Sequence, residues 1–344
     1  MRNTFYTTAE KAWGGMLTAI ASAQESIYLE MYTLVDNTPG YDFFALLKRK
    51  AQAGVRVKVI IDSLGSSDLK SQTVTAVRAA NVELLLFSYW LRRTHKKILI
   101  VDEKVAFVGG VNIHKLFRKW NDLQIRLTGP IVKGITRSFA RTYALCGGKD
   151  THLLAFNGKK NILGKTKLWI LEHWKADGRV LLKQYYKTNI SQAQKTITIV
   201  TPYFAPHRWL IGMLHQAVMR GVTVHILLPE QSDHWTMDRV SYFYMERLHK
   251  LGIIFYLSKQ MNHAKTMLID NREGLVGSNN IDPMSFHYNI EAGVFFQDKE
   301  MVRELKTIIE TWKGKSVVFD PATKKPQWFD YLISPFMRIF QSML

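Results

Sequence analysis

The sequence predicts an α/β protein of two similar halves, in which mixed sheets are flanked by helices. Segments with helical and strand-like spacing of apolar residues alternate along the chain, which is typical of βαβ units. Stretches of the first 150 residues return in the same order after residue 180. At 344 residues, the chain is long enough for two domains with cores of their own.

The repeat is carried first by segments in which a helix and a strand follow each other. The matching stretches are residues 22–32 (SAQESIYLEMY) with 192–202 (QAQKTITIVTP), and residues 43–62 (FFALLKRKAQAGVRVKVIID) with 210–229 (LIGMLHQAVMRGVTVHILLP). We expect Gly54 and Gly221 to end the two helices in the left-handed conformation, ahead of a β-branched strand. The predicted organisation is an N-terminal half (1–150), an insertion or linker (151–180), a C-terminal half (181–314) and an apolar amphipathic tail (315–344).

A further repeated pair carries the chemistry: residues 94–112 (THKKILIVDEKVAFVGGVN) and residues 262–280 (NHAKTMLIDNREGLVGSNN). Residues two apart in a strand share a face, so His95 with Lys97, and His263 with Lys265, each point into one space. The polar turn after each strand predicts a hairpin. Its return would bring the amide side chains at positions 112 and 280 beside them. Within this pair of motifs, matching positions lie 168 residues apart.

This set of side chains suits a phosphate group. Lys97, Lys265, Asn112 and Asn280 supply positive charge and hydrogen-bond donors for an anionic tetrahedral ligand. We expect the glycines at positions 109, 110 and 277 to let backbone amides approach it closely. If the halves pair about a pseudo-twofold axis, the two histidines flank one phosphorus atom in a single active site at the interface.

Four acidic residues accompany the motifs. An imidazole nucleophile needs an acceptor on its second nitrogen, and Asp122 in WND and Glu291 in NIE are the carboxylates placed to provide one. Asp102 and Asp270 lie five residues after the lysines, and we interpret them as hairpin anchors behind the reacting groups. The remaining histidines, including His207 and His287, are expected to pack or cap, not to react.

Composition bounds the partners and the compartment. Lys and Arg outnumber Asp and Glu by 47 to 28, so the formal charge of +19 favours a polyanionic partner, either nucleic acid or an acidic membrane surface. Charge alone does not choose between them. The single cysteine, Cys146, excludes an internal disulfide framework, is expected to be buried, and fits a reducing compartment.

The two motifs resemble the HxKxxxxDxxxxxxG[GS]xN signature of the phospholipase D superfamily, with Gly110 in the first copy where the second has Ser278. The stretches VTPYFAPHRWL, RGVTVHILLPEQSDH, VGSNNIDPMSFHYNIEAGV and WNDLQIRLTGPIV are similar to the bacterial cardiolipin synthase branch. The resemblance covers most of residues 10–314 and is weakest at 151–180. It is to a short form, without the two N-terminal membrane helices of many members.

The resemblance implies phosphatidyl transfer, in which two phosphatidylglycerol molecules become cardiolipin and glycerol through a phosphohistidine. By this analogy His95 is the nucleophile, His263 the acid and base, and the paired lysines and asparagines bind the phosphoryl oxygens, with no metal or cofactor. The residues themselves do not say which histidine attacks. A hydrolytic phospholipase D and a nuclease of the superfamily remain as alternatives, nucleic acid being disfavoured, and the oligomeric state is open.

A peripheral place on the cytoplasmic face of a bacterial inner membrane is the location we predict. The N-terminus lacks an apolar run long enough for a signal peptide or a span. The tail from Trp328 to Leu344 is aromatic and apolar, but too short to cross a bilayer. A basic run, which either is a solvated face or attracts anionic headgroups, consists of Arg92, Arg93, Lys96, Arg118, Lys119 and Arg126.

Overall fold

A seven-stranded mixed sheet forms the centre of the first half. The computed structural model describes residues 3–157, 167–175 and 178–322. The strand order is β1-β7-β6-β5-β2-β3-β4, with β2, β3 and β4 parallel and the other pairs antiparallel. The elements are β1 (Thr4–Thr8), α1 (Ala9–Ser22), β2 (Ser26–Met31), α2 (Phe43–Gln52), β3 (Arg56–Asp62), α3 (Ser71–Ala79), β4 (Glu83–Phe87), β5 (Lys97–Val101), β6 (Val105–Gly109), a short 3-10 helix (Lys115–Phe117), β7 (Asn121–Thr128) and α4 (Ile131–Leu145).

A nine-stranded sheet forms the second half, with the order β16-β12-β11-β10-β13-β14-β15-β8-β9. Its parallel strands β10, β11 and β12 correspond to β2, β3 and β4 of the first sheet. The elements are α5 (Thr151–Asn157), β8 (Leu168–Trp174), β9 (Arg179–Val180), α6 (Leu181–Gln192), β10 (Thr196–Val200), α7 (Arg208–Met219), β11 (Thr223–Pro229), α8 (Trp235–His249), β12 (Ile254–Ser258), β13 (Thr266–Ile269), β14 (Glu273–Gly277), α9 (Pro283–His287), β15 (Glu291–Phe296), α10 (Lys299–Lys313) and β16 (Ser316–Val318).

The predicted helix ends are found where the sequence places them. Gly54 follows α2 with φ +89°, and Gly221 follows α7 with φ +85°. In this left-handed conformation the chain turns back and the next strand begins within a few residues. The predicted α/β architecture of two similar halves, with mixed sheets flanked by helices, is confirmed.

The inner faces of the two sheets share one hydrophobic core. A single apolar cluster joins Val108 of β6 and Ile125 of β7 to Val276 of β14 and Val294 of β15, all buried. Helices cover the outer faces, α1 and α2 on the first sheet and α6, α7 and α8 on the second. Because β6 packs beside β14 and β15 along the core, the corresponding edges of the two sheets lie next to each other.

Two segments that the sequence separated from the halves contribute strands to the second sheet. Residues 168–174 form β8, which pairs with β15 as β1 pairs with β7 in the first sheet. Residues 316–318 form β16, which pairs with β12. The domain boundaries stay a prediction, and the tail from Trp328 to Leu344 lies outside the described residues. No helix within the described ranges has the length and apolarity needed to cross a bilayer.

Candidate active site

Each motif is built on a tight hairpin that starts at the catalytic edge of its sheet. His95 lies two residues before β5, whose first residue, Lys97, pairs with Met31 at the end of β2. Asp102 and Glu103, at φ +51° and +50°, form a two-residue turn into β6. The strand then returns to the same edge, where Asn112 is buried. In the second half, residues 263–280 repeat this path through β13 and β14.

Backbone hydrogen bonds join the two halves on either side of the motifs. The amide of His95 donates to the carbonyl of Ile290 at 2.9 Å, and the amide of Ile290 donates to Arg93 at 2.8 Å. The amide of His263 likewise donates to the carbonyl of Asn121 at 2.7 Å. Each histidine is therefore fixed to the residue of the other half that directly precedes a carboxylate, Glu291 for His95 and Asp122 for His263.

The carboxylates cross between the halves. Nδ1 of His95 lies 3.0 and 3.1 Å from the two carboxylate oxygens of Glu291. Nδ1 of His263 lies 2.8 Å from Oδ2 of Asp122. With the proton on Nδ1, each imidazole donates to its carboxylate and leaves Nε2 with a free lone pair. The sequence pointed to these carboxylates but did not predict that each would serve the histidine of the other half.

The charge states follow from burial and these contacts. Burial opposes the charge of Glu291, but the neighbouring His95 imidazole and Lys97 outweigh it and lower its pKa to about 2. The pKa of Asp122 is lowered as well, since contact with His263 and the charge of Lys265 outweigh burial. Burial and the nearby lysines lower the pKa of His95, and that of His263 falls to about 4. In the free protein both carboxylates are ionised and both imidazoles are neutral.

The two lysines are buried and close to one another. The ammonium of Lys97 donates to the carbonyl of His95 at 2.7 Å and lies 5.1 Å from the ring centre of Tyr32. The ammonium of Lys265 donates to the carbonyl of His263. Burial and the charge of Lys265 outweigh the nearby carboxylates and hold the pKa of Lys97 well below its usual value. Burial likewise outweighs the carboxylates around Lys265 and lowers its pKa to about 8. An anion between the lysines would favour their charged forms.

Asn112 and Asn280 occupy equivalent places beside the lysines. Both are buried, and the Oδ1 atom of each lacks a hydrogen-bond partner in the described part of the chain. Their backbones are held in place, since the carbonyl of Asn112 accepts from Trp13 Nε1 at 2.9 Å and the amide of Asn280 donates to Ser285 at 3.0 Å. Two buried amide side chains with spare hydrogen-bonding capacity suit a polar ligand.

Asp102 and Asp270 hold the hairpins away from the reacting groups. The carboxylate of Asp102 accepts backbone N–H groups from Gln24, Glu25 and Ser26 at the start of β2. Asp270 accepts the equivalent N–H groups at the start of β10. Both carboxylates therefore lie at the far ends of the motif strands, where the sequence placed them.

Gly110 and Ser278 occupy equivalent positions in the two motifs, but the carboxylates next to them, Asp122 and Glu291, are placed differently. A Cβ atom at position 110 would lie 2.3 Å from Oδ1 of Asp122, so glycine is required there. Ser278 instead donates its hydroxyl hydrogen bond to Glu291. The sequence predicted that backbone amides at the motif glycines would approach a ligand. This is wrong for the N–H groups of Gly110 and Gly277, which donate to backbone carbonyls of the sheet.

Two features of the site escaped the sequence reasoning. The ring of Tyr32 meets that of His95 edge-on at 4.8 Å, and the ring of Trp120 lies 5.6 Å from that of His263. Lys96, predicted on a basic surface, is buried and ion-paired with Glu30 at 3.1 Å. The alternation of side chains along a strand could have indicated the burial of Lys96, because a residue between His95 and Lys97 must face the opposite side of the sheet.

A comparison with protein-family models matches each of the two motif-bearing halves separately. A family model described as "Cardiolipin synthase, PLD-like domain" matches residues 16–142 and again residues 186–312. Together the two matches cover most of the chain. The chain belongs to this family. Its phospholipase D-like repeat, predicted from the sequence, is confirmed, and with it the expectation of an enzyme of this superfamily.

Curated relatives extend over most of the chain. The probable cardiolipin synthase YwiE of Bacillus subtilis is 29% identical over 97% of the chain and 71% of its own length. Cardiolipin synthase 2 of Bacillus anthracis is 28% identical over 87% of the chain, which spans only 62% of that relative. The cardiolipin synthase of Clostridium perfringens is 28% identical over 91% of the chain and 73% of its length.

A solved structure supports the fold. The crystal structure of phosphatidylserine synthase from Haemophilus influenzae matches with a TM-score of 0.79 at 15% identity, covering 98% of this chain and 93% of that one. At this identity the likeness concerns the arrangement of the two halves. Within residues 3–157, 167–175 and 178–322, no group of three or more His, Cys, Asp or Glu side chains is placed to hold a metal ion. The predicted absence of a metal stays a prediction.

Proposed function

We propose that the chain is a phosphatidyltransferase that joins two phosphatidylglycerol molecules into cardiolipin and glycerol. The observation that carries the proposal is the pair of buried, neutral imidazoles, each with Nδ1 bonded to the carboxylate of the other half. An imidazole held in this way has an Nε2 lone pair for attack on phosphorus or for proton transfer. Two of them at one site suit a double displacement.

The proposed reaction has two steps. Nε2 of His95 bonds to phosphorus while the bond from phosphorus to the glycerol oxygen breaks, and protonated His263 gives its Nε2 proton to that oxygen. Neutral His263 then removes a proton from a hydroxyl of the second lipid, whose oxygen bonds to phosphorus as the phosphorus–nitrogen bond of His95 breaks. The order of the two histidines follows the resemblance to the superfamily.

The charge that develops on phosphorus would be met by groups from both halves. Lys97, Lys265, Asn112 and Asn280 are buried around the histidines and supply ammonium and amide hydrogen bonds to the equatorial oxygens. Since the pKa of His263 is about 4 in the free protein, the first step requires proton uptake. A bound phosphodiester anion supports this uptake, because its negative charge raises the pKa of a neighbouring imidazole.

A membrane-bound substrate is supported by apolar residues at the edge of the sheets that carries the site. Large exposed side chains follow the strands that end there: Leu64 after β3, Trp90 and Leu91 after β4, Leu116 after β6 and Trp235 after β11. Trp90 is 87% exposed. Tryptophan beside apolar and basic residues favours the lipid–water interface. These residues support a peripheral position on an anionic membrane, and the proposed location at the cytoplasmic face of the inner membrane follows the resemblance of the sequence to bacterial cardiolipin synthases.

The hydrolytic alternative differs only in the acceptor, because water would replace the second lipid in the second step. The nuclease alternative is favoured by the charge of +19 alone. One assay separates the three. Phosphatidylglycerol vesicles, phosphatidylcholine vesicles and single-stranded DNA are offered in parallel, and the products are identified. We expect cardiolipin from phosphatidylglycerol, whereas phosphatidic acid alone or cut DNA would contradict the proposal.

Variants test the histidines. His95→Ala and His263→Ala should each abolish cardiolipin formation, while His215→Ala on the outer helix α7 should keep it. Rapid quench of the reaction should trap phosphate on one of the two imidazoles, and its location gives the order of the steps. Retention of turnover by both active-site variants would exclude the mechanism.

A further inference from the structure

A group of basic side chains lies beside the active site in the second half. This basic cluster consists of three histidines and three lysines: His173, Lys175, Lys183, Lys187, His207 and His287. No ion pair links any of the six to a carboxylate of the described ranges. Basic surface groups usually have acidic neighbours, so six without an ion-pair partner suggest a ligand of opposite charge.

The cluster lies at the same edge of the sheet as the catalytic residues. His173, the residue before the last of β8, lies directly opposite Glu291 of β15, the carboxylate that holds His95. Its Nε2 donates to the carbonyl of Phe286 in α9, at 2.9 Å, and His287 is the last residue of that helix. The chain reaches α9 shortly after Asn280, so the cluster adjoins the pocket but shares no residue with it.

Ring contacts bring the members together. The ring centres of His207 and His287 are 4.5 Å apart. The ring of His207 lies nearly parallel to that of Trp209, with 6.4 Å between their centres. The ammonium groups of Lys183 and Lys187 lie 5.6 and 5.8 Å from the ring centre of Trp209. His207 is 5% exposed, and its Nε2 has no hydrogen-bond partner. A buried imidazole nitrogen without a partner is costly unless a ligand satisfies it.

Two helix N-termini add positive potential at this place. Neither α6 nor α7 has a capping side chain or an acidic residue in its first turn. Their first turns contain Lys183 and Arg208 instead. This reverses the usual pattern, in which acidic groups offset the positive end of the helix dipole. Such uncapped N-termini bind phosphate in many proteins.

The electrostatic effect of this crowding is visible in the histidines. Burial, His287 and two lysines together lower the pKa of His207 to about 4. Burial and neighbouring lysines also lower the pKa of Lys183 and of His287. The fold thus holds three lysines beside three imidazoles whose protonation is disfavoured, and an anion bound among them would favour the charged forms of all these groups.

We propose that the basic cluster binds a second phosphate group, next to the phosphate attacked at the histidine pair. A lipid headgroup and a free phosphate ion share this chemistry. Assignment to the headgroup of the acceptor lipid rests on the proposed function, because the joining of two phosphatidylglycerol molecules brings two phosphates to one pocket. The cluster would then hold the phosphate that does not react, and orient the attacking hydroxyl.

The test is a calorimetric titration of the full chain with inorganic phosphate. We expect two phosphate-binding sites in the wild type. In the double variant Lys183→Gln/Lys187→Gln, the Kd of one site should rise by at least about tenfold, since two charge-assisted contacts are removed. The matched control is Lys299→Gln/Lys306→Gln, which removes the same charge from the exposed face of α10. Binding by the cluster variant equal to that of the control would overturn the proposal.

A second titration identifies the source of the phosphate. Short-chain phosphatidylglycerol, dissolved as monomers, replaces inorganic phosphate. Weaker binding of both ligands by the cluster variant supports a headgroup site, and weaker binding of inorganic phosphate alone supports a free-anion site. Neither measurement requires turnover, so a wild-type chain that binds the second phosphate but makes no cardiolipin would contradict the proposed function and leave the site intact.

Discussion

At the scale of single residues, the site depends on which carboxylate holds each imidazole and on what holds that carboxylate. Glu291, which accepts the hydrogen bond from Nδ1 of His95, is held in place by Ser278 and by Asn289, whose amide donates to Oε1 at 3.1 Å. Asp122 is fixed by the amide of Leu123 at 2.7 Å. Glycine at position 110 makes room for the shorter carboxylate. The two half-sites therefore reach the same imidazole geometry with different supports.

Replacing either carboxylate by its amide should disable catalysis without removing volume. In Glu291→Gln and Asp122→Asn the amide no longer favours the tautomer with Nδ1 protonated, so we expect turnover to fall by about 10²–10⁴. Glu273→Gln, which changes a buried carboxylate of β14 outside the site, serves as the control. The measurement is the initial rate of cardiolipin formation at equal folded concentration. Activity within a few-fold of wild type in both site variants would refute the crossed arrangement.

The pH dependence follows from two groups. His263 must be protonated to act as the acid of the first step, and since its pKa in the free protein is about 4, fewer molecules carry this proton as the pH rises. Lys265 has a pKa of about 8 and must be charged to bind phosphate. We expect kcat/KM, which reports the free enzyme, to decline with rising pH and to decline more steeply above about pH 8. Lys265→Arg, whose side chain does not lose its charge, should remove the steeper part of this decline in whatever activity remains. A wild-type profile flat from pH 7 to 10 would contradict this assignment.

Stability should respond to the same histidine. The folded pKa of His263 is lowered from 6.5 to about 4, so between these values the unfolded chain binds a proton that the folded chain does not. Its contribution to stability is therefore complete above about pH 6.5 and is lost as the pH falls towards 4. Comparison of the Tm of wild type and His263→Gln over this range measures the contribution. Identical slopes for the two proteins would argue against a neutral buried imidazole.

At the scale of elements, the hairpins determine where the reacting groups stand. Each turn has two consecutive residues at positive φ, Asp102 with Glu103 and Asp270 with Asn271. Each aspartate then ties the turn to the start of the neighbouring strand, β2 or β10, through three backbone N–H groups. Local turn chemistry and one carboxylate thus fix the register of the strand that follows each motif histidine.

Removal of that anchor should affect stability far more than chemistry. Asp102→Ala removes the charged acceptor of three backbone N–H groups, those of the exposed Gln24 and Glu25 and of Ser26 at the start of β2, which costs about 1–3 kcal/mol. We expect a lower Tm and an unchanged turnover per folded molecule, because the turn lies at the end of β5 opposite to His95. Thermal unfolding and the rate of cardiolipin formation below Tm measure the two effects. An inactive but fully folded Asp102→Ala protein would show that the aspartate acts in the reaction.

At the scale of the whole molecule, charge and apolar exposure meet on the face that carries the site. The predicted basic run is smaller than the sequence suggests, since Lys96 is buried and Arg118 is paired with Glu10 at 2.6 Å. Arg92 and Lys119 remain exposed on this face, close in the chain to Trp90, Leu91 and Leu116. For the proposed lipid substrate, we expect anchoring by these aromatic and aliphatic side chains to supplement the electrostatic attraction to anionic lipids.

Vesicle binding tests this face. Trp90→Ser should weaken sedimentation with phosphatidylglycerol vesicles several-fold, because an 87% exposed indole leaves water on docking. Met219→Ser changes a 75% exposed side chain at the end of α7 and should bind as wild type does. Turnover of a soluble phosphodiester should be equal in both variants. Equal vesicle binding by the two proteins would move the contact away from this loop.

Local patterns in the sequence were sufficient for the fold and for most of the site. The spacing of His95 and Lys97 placed them on one face, Gly54 and Gly221 ended helices, and the repeat predicted two alike halves. These signals work because periodicity and turn chemistry act over a few residues. The same alternation could have placed Lys96 in the interior, but its charge suggested a surface.

The sequence by itself determined the duplicated α/β halves, the motif strands and the identity of the acidic partners. Only the tertiary structure decided that each carboxylate serves the histidine of the other half, and that six basic side chains from β8, α6, α7 and α9 meet beside them. The physical reason is that contacts across an interface depend on how two finished sheets pack. Packing is set by the whole buried surface, which no short stretch of sequence specifies.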